Sequence, residues 1–260
     1  MTPVDNSQQK MRGETRRILG IDFFVEPLDV AVAQAMQGGL VLAPSAPGLA
    51  ADLVNSQAYR DAMADADLVL VDSSALVLFW RLFSGETLHR ISGLMFLREF
   101  LRQQELRAPG TVFWVMPTAE EASRNITWLE GQGIRSSAED YYVAPFYGEG
   151  AIADEVLCGK IEARRPRVVI LAIGGGVQER LGHFLKQRLP NRPCILCLGA
   201  AIAFLSGGQA RIPAWADSMM LAWLVRVLHS PRRFAGRYLK AWGLFPLLWR
   251  NREKMPPLRT

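Results

Sequence analysis

The sequence predicts an α/β fold, a Rossmann-like, mostly parallel sheet flanked by helices, with a basic C-terminal helical appendage. Three observations predict it. Apolar β-type runs alternate along the chain with longer segments of helical spacing. Runs such as Val168-Val169-Ile170-Leu171 are hydrophobic without alternation, which suits strands covered on both faces. Residues 211–260 carry ten Lys/Arg against only Asp217 and Glu253, a charge of +8, whereas the rest holds twenty Lys/Arg and twenty-three Asp/Glu, a charge of −3.

In chain order, strand 18–24 leads to helix 29–36, and strand 39–43 to helix 48–65. Strand 68–71 precedes helix 94–104, and strand 111–115 precedes helix 119–132 and helix 152–163. Strand 167–173 runs through glycines into helix 178–188, and strand 194–198 closes the sheet. With half of its 260 residues hydrophobic, the chain can fill one large core. The boundary falls near Gly207-Gly208, dividing an α/β core over 1–207 from an appendage over 208–260. Nothing repeats at a fixed period.

In the basic segment, Ser230-Pro231 reads as a helix start, with serine capping and proline at the first helical position. If the helix continues, Phe234, Tyr238, Trp242 and Phe245 share one face, and Arg233, Arg237 and Lys240 form a cationic stripe beside it. That is the build of a helix lying in a membrane interface. The competing reading is an amphipathic helix packed on its own domain. Gly236 and Gly243 weaken the helix, and Pro246 should kink or end it before Leu247-Leu248-Trp249. No apolar run approaches the about 20 residues of a spanning helix, and the polar stretch 1–17 lacks a signal-peptide core, so a cytoplasmic protein at the membrane surface is expected. A nucleic-acid partner is not expected, because a nucleic-acid reader spreads its cations over a folded body, and this body is slightly acidic.

Cys194-Ile195-Leu196-Cys197 has CxxC spacing, but it lies in an apolar run without a second pair, and the chain's histidines are His89, His183 and His229. Buried strand residues are the reading, with no metal site and no cofactor. Two strand ends carry chemistry. Leu68-Val69-Leu70-Val71 delivers Asp72, where a carboxylate can take a proton from an attacking hydroxyl; the alternative is a cap for a segment starting at Ser74. Ile173 leads into Gly174-Gly175-Gly176 and then Gln178-Glu179, a turn whose backbone N–H groups can receive a diphosphate. The turn is neither GxGxxG nor a P-loop.

From about Leu19 to Leu239 the order of motifs resembles the WecG/TagA/CpsF glycosyltransferase family. The resemblance lies in Ala66-Asp67-Leu68-Val69-Leu70-Val71-Asp72, Arg90-Ile91-Ser92-Gly93 and Ile173-Gly174-Gly175-Gly176-Val177-Gln178-Glu179. It continues in Gly199-Ala200-Ala201-Ile202-Ala203-Phe204-Leu205-Ser206-Gly207, Arg211-Ile212-Pro213-Ala214-Trp215, Trp223-Leu224-Val225-Arg226, Pro231-Arg232-Arg233 and Arg237-Tyr238. It implies an inverting transferase that adds the second sugar to a polyprenyl-diphosphate-linked sugar at the cytoplasmic face of the bacterial inner membrane. Asp72 then matches the base, Arg90 an arginine steadying the diphosphate, and Gln178 the glutamine of the glycine-loop pattern. The resemblance sets Gly174, Gly175, Gly176, Gln178, Glu179 and Ser45 at the nucleotide sugar, and Arg211, Arg226, Arg233 and Arg237 at the lipid diphosphate. No DxD stands at a strand end, since Asp65-Ala66-Asp67 precedes its strand, so charge stabilisation falls to arginines and backbone N–H groups.

Five positions depart from the family pattern. Ala43-Pro44-Ser45 stands where Thr-x-Asn is usual, Met95 replaces an Asp, Ala203 another Asp, and Ala222 a Glu. Buried polar partners govern which sugar is accepted. The expected donor is therefore UDP-glucose, as in the branch that extends glucosyl-diphospho-polyprenol for xanthan-like exopolysaccharide, with UDP-N-acetylmannosamine as the alternative. A non-catalytic scaffold that binds lipid-linked sugars is the competing class. A homo-oligomer remains open.

Overall fold

The computed structural model describes residues 13–209, 236, 239 and 241–259. Its centre is a six-stranded sheet of β3 (Gly39–Leu42), β4 (Leu68–Val69), β5 (Val112–Met116), β6 (Tyr141–Val143), β7 (Val168–Leu171) and β8 (Cys194–Cys197). The order is β4-β3-β8-β7-β5-β6, and every pairing is parallel. Side chains alternate across it. Leu40, Leu42, Val69, Phe113, Val115, Val169, Leu171, Ile195 and Cys197 enter one core, and Val41, Leu68, Val112, Trp114, Met116, Val168, Ile170, Cys194 and Leu196 the other. Both faces are covered, which is why the strands read as unbroken apolar runs. Cys194 and Cys197 are both buried but fall in opposite cores, so they cannot meet as a redox or metal pair.

On the first face lie α2 (Leu53–Asn55), α3 (Gln57–Asp65), α4 (Ser74–Ser84), α7 (Glu155–Arg164), α8 (Val177–Arg188) and α10 (Leu244–Asn251). The second face carries α1 (Leu28–Ala35), α5 (Gly93–Phe100), α6 (Ala119–Gly131) and α9 (Ala201–Leu205). No helix among the described residues is long and apolar enough to cross a membrane.

Several elements differ from expectation. The single strand expected over 18–24 is a separate antiparallel hairpin, β1 (Thr15–Ile18) and β2 (Ile21–Phe24). Leu19 at φ 51° and Gly20 at φ 78° form its two-residue turn, whose positive dihedrals follow strand twist. The helix expected over 48–65 is broken. A π-type turn at Gly48–Asp52 passes into α2, and extended Ser56 then caps α3 by accepting from Tyr59 N at 3.2 Å. Helix α4 and edge strand β6 were not foreseen, and Pro246 lies inside the first turn of α10 instead of ending a helix there.

The C-terminal segment lies on its own domain. Leu244 and Leu248 are fully buried, each contributing roughly 1.5–3 kcal/mol relative to exposure. Phe245, expected on a membrane-facing stripe, packs on Phe79 and Phe83 of α4 with ring centroids at 5.3 and 4.8 Å. Beyond α10, Leu19 N donates to Arg252 O at 2.7 Å and Gly20 N to Glu253 O at 2.9 Å, fastening the chain end to the hairpin tip. The helix start at Ser230 and the residues Phe234, Tyr238 and Lys240 lie outside the described residues.

Candidate functional site

The carboxyl ends of β4, β3, β8 and β7 are neighbours along one edge of the sheet, and each leads into a segment that the sequence singled out. Asp72 follows β4, Ser45 follows β3, Gly199 follows β8, and Gly174-Gly175-Gly176 follows β7. Strands lie about 4.8 Å apart, so three spacings, about 14 Å, separate Asp72 from the glycine turn. Only an extended ligand reaches both.

Asp72 is half-buried, and its Oδ1 accepts from Gly93 N, the first residue of α5, at 2.9 Å. Arg90 Nε donates to the Asp72 backbone carbonyl at 2.8 Å, and Ile91 N donates to Val71 O at 3.1 Å, so residues 90–93 run alongside the end of β4. The carboxylate therefore sits at the N-terminus of α5, against one of its unpaired N–H groups. It does not cap the helix that follows it. That part falls to Ser73, whose Oγ accepts from Leu76 N at 3.1 Å. A Cβ on Gly93 would lie 3.4 Å from Leu198 O and 3.5 Å from Ala43 Cβ, so the start of α5 leans on the ends of β8 and β3.

At the other end, Gly174 and Gly175 are exposed, with open space where a Cβ would stand. Gly176 has φ +84°, a conformation L-residues avoid, and its N–H donates to Glu179 Oε2 at 2.6 Å. Gln178 is 2 % exposed and both ends of its amide are engaged: Oε1 accepts from Gly199 N at 2.6 Å, and Nε2 donates to Glu179 Oε1 at 3.1 Å. Gln178 and Glu179 thus tie the turns after β7 and β8 together from below. Ser45 is half-buried, and its Oγ accepts from Gly48 N at 3.4 Å.

Burial pushes the Glu179 carboxyl up to about 7. Hydrogen bonds from its own N–H, Gln178 and Gly176 work the other way, and nearby Asp52 adds to the rise. Tyr59, also buried, is held far above its ordinary value by burial first and then by Glu179 and Asp52. Sequence reasoning named Glu179 but missed Asp52 and Tyr59 beside it, because they join it only through the folding of residues 48–65. It also missed Arg180, whose Nε donates to Gly176 O at 2.8 Å and whose Nη1 donates to Gly148 O at 3.0 Å and to Gly150 O.

Asp67 of the Asp65-Ala66-Asp67 stretch lies at the opposite edge of the sheet, where Oδ2 accepts from Leu40 N at 2.7 Å and pairs with Lys186 at 3.0 Å. Arg211, Arg226, Arg233 and Arg237 lie outside the described residues.

A doubly covered parallel sheet, with a carboxylate and a glycine turn at the carboxyl ends of its strands, where open α/β sheets generally bind ligands, agrees with a group-transfer enzyme, and comparison identifies the class as a glycosyltransferase. The model of the Glycosyl transferase WecG/TagA/CpsF family matches residues 17–257, and the chain belongs to that family. The family implies a nucleotide-sugar donor and a lipid-linked sugar acceptor. No curated protein matches the chain.

Proposed function

We propose that the chain moves glucose from UDP-glucose, with inversion, onto a sugar carried by polyprenyl diphosphate during exopolysaccharide repeat-unit synthesis. The observation that carries this reading is the shared edge, with Asp72 held at the α5 N-terminus and an open glycine turn three strands away. The donor diphosphate lies at Gly174–Gly176, and the donor sugar extends towards Asp72. Asp72 accepts the proton of the acceptor hydroxyl as its oxygen bonds to the anomeric carbon. The bond from that carbon to the diphosphate breaks, and UDP leaves with the electron pair. Arg90, with backbone N–H groups, carries the developing charge, while Gln178 and Glu179 shape the turn without touching substrate. Ser45 borders the donor sugar, and Arg211, Arg226, Arg233 and Arg237 meet the acceptor's diphosphate.

The acceptor brings a membrane with it. Helix α4 starts two residues after Asp72 and presents Leu78 and Leu82, 62 % and 68 % exposed, on its outer side. Trp242 and Trp249 flank it, 66 % and 61 % exposed, with ring centroids 5.9 Å from Phe79 and 5.4 Å from Phe83. Arg81 and Arg250 are exposed on the same two helices. Apolar side chains with a cationic rim fit the headgroup layer of an anionic leaflet, which supports a peripheral seat on the inner face of the cytoplasmic membrane.

Substitutions at Ala43-Pro44-Ser45, Met95, Ala203 and Ala222 motivate glucose over N-acetylmannosamine. Transfer of radiolabel from UDP-glucose to glucosyl-diphospho-polyprenol, beside UDP-N-acetylmannosamine, tests the donor; activity with only the latter sinks the glucose assignment. In the same assay Asp72→Asn should lower turnover about 10²–10⁴-fold without unfolding, because an amide oxygen still accepts from Gly93 N.

A further inference from the structure

Phe146 is 99 % exposed, on the loop that leaves the carboxyl end of β6. The loop is fastened on both sides of it. Tyr147 donates to Asp154 Oδ2 at 2.6 Å, and Tyr142 donates to the same oxygen at 3.1 Å. Asp154 is itself 7 % exposed and caps α7 by accepting from Leu157 N at 2.9 Å. Two residues further on, Arg180 grips Gly148 O and Gly150 O with the guanidinium that also holds Gly176 O. One side chain thus joins the Phe146 loop to the glycine turn.

An aromatic ring held out in water forgoes the gain of burial, and its tethered loop gives it little freedom to fold inward. β6 is two strand spacings from β7, about 10 Å, and its loop opens on the same edge as the glycine turn. A flat apolar face at that remove from a diphosphate site matches the reach of a nucleoside. Bases stack on such faces whatever their hydrogen-bonding edges. We propose that Phe146 is the stacking platform for the base of the nucleoside diphosphate whose phosphates lie at Gly174–Gly176. The proposal rests on the donor-site reading above.

The test is calorimetric binding of UDP and, separately, of inorganic pyrophosphate to the full chain. Phe146→Ala should weaken UDP about tenfold or more and leave pyrophosphate unchanged, and Phe146→Trp should restore UDP affinity. With UDP-sugar as the varied substrate, KM should rise in the alanine variant while kcat stays within about twofold. Equal UDP affinity in wild type and Phe146→Ala overturns the platform, and so does a parallel loss of pyrophosphate, which reports a collapsed loop. A wild-type chain that binds pyrophosphate but not UDP overturns the platform and spares the phosphate turn. Binding of neither removes the donor site and the platform together.

Discussion

Glu179 is a carboxyl buried beneath the turn that would hold a diphosphate, and its position carries a pH signature. Its folded-state value is about 7 against an ordinary 4.5, so between those values the folded chain keeps a proton that the unfolded chain has released. Its contribution to stability is therefore full below about pH 4.5 and is lost as pH rises towards 7. Glu179→Gln removes that dependence while its amide oxygen can still accept from Gly176 N. Between about pH 5 and about pH 8 the wild-type Tm should fall more steeply than the variant's, read by thermal melts in matched buffers. Parallel slopes would show that Glu179 does not titrate in that window.

At the scale of elements, α8 sits unusually close to the sheet. A Cβ on Gly182 would stand 2.7 Å from Cys197 Sγ and 2.8 Å from Leu40 Cδ1, so Gly182→Ala forces α8 away from β8 and β3. A destabilisation of about 1–3 kcal/mol is expected in urea unfolding, with UDP binding weakened because Gln178 and Glu179 ride on the same helix. Elements of this kind were legible where apolar runs were long. β3, β5, β7 and β8 lie within a residue or two of their expected bounds because strands buried on both faces need continuous Val, Ile and Leu. Helix α4 escaped notice for a related reason. Leu76 to Phe79 are all apolar, and tertiary packing uses both its sides, inward through Trp80 and outward towards α10, so no single polar face marks its period. β6 is three residues at the sheet edge, too short to register. Asp72 and the glycine turn were visible as strand ends, whereas Gly93 as the partner of Asp72 and Gly199 as the partner of Gln178 depended on tertiary arrangement, which local pattern does not encode.

For the whole molecule, the C-terminal segment has two attachments to explain. Removing everything after Gly208 would strip Leu244 and Leu248 from the core as well as the exposed tryptophans, so loss of membrane binding in a truncated chain would not distinguish unfolding from undocking. Leu78→Ser with Leu82→Ser separates the two, since both side chains already face solvent. The double variant should keep its Tm within about 2 °C, the scale of a surface substitution. In sedimentation with vesicles containing anionic lipid, it should stay in the supernatant under conditions where the wild type pellets. Undiminished pelleting would take α4 out of the membrane-facing surface.

The position of β8 also bears on how the sheet is completed. Among the described residues, β4-β3 and β7-β5-β6 are two fragments of ladder that β8 joins, and β8 is the last of these strands in chain order. A chain without β8 in place would leave the inner edges of β3 and β7 bare, each a template for unwanted pairing. The edge that unites Asp72 with the glycine turn is therefore complete only with Cys194–Cys197 in place between β3 and β7.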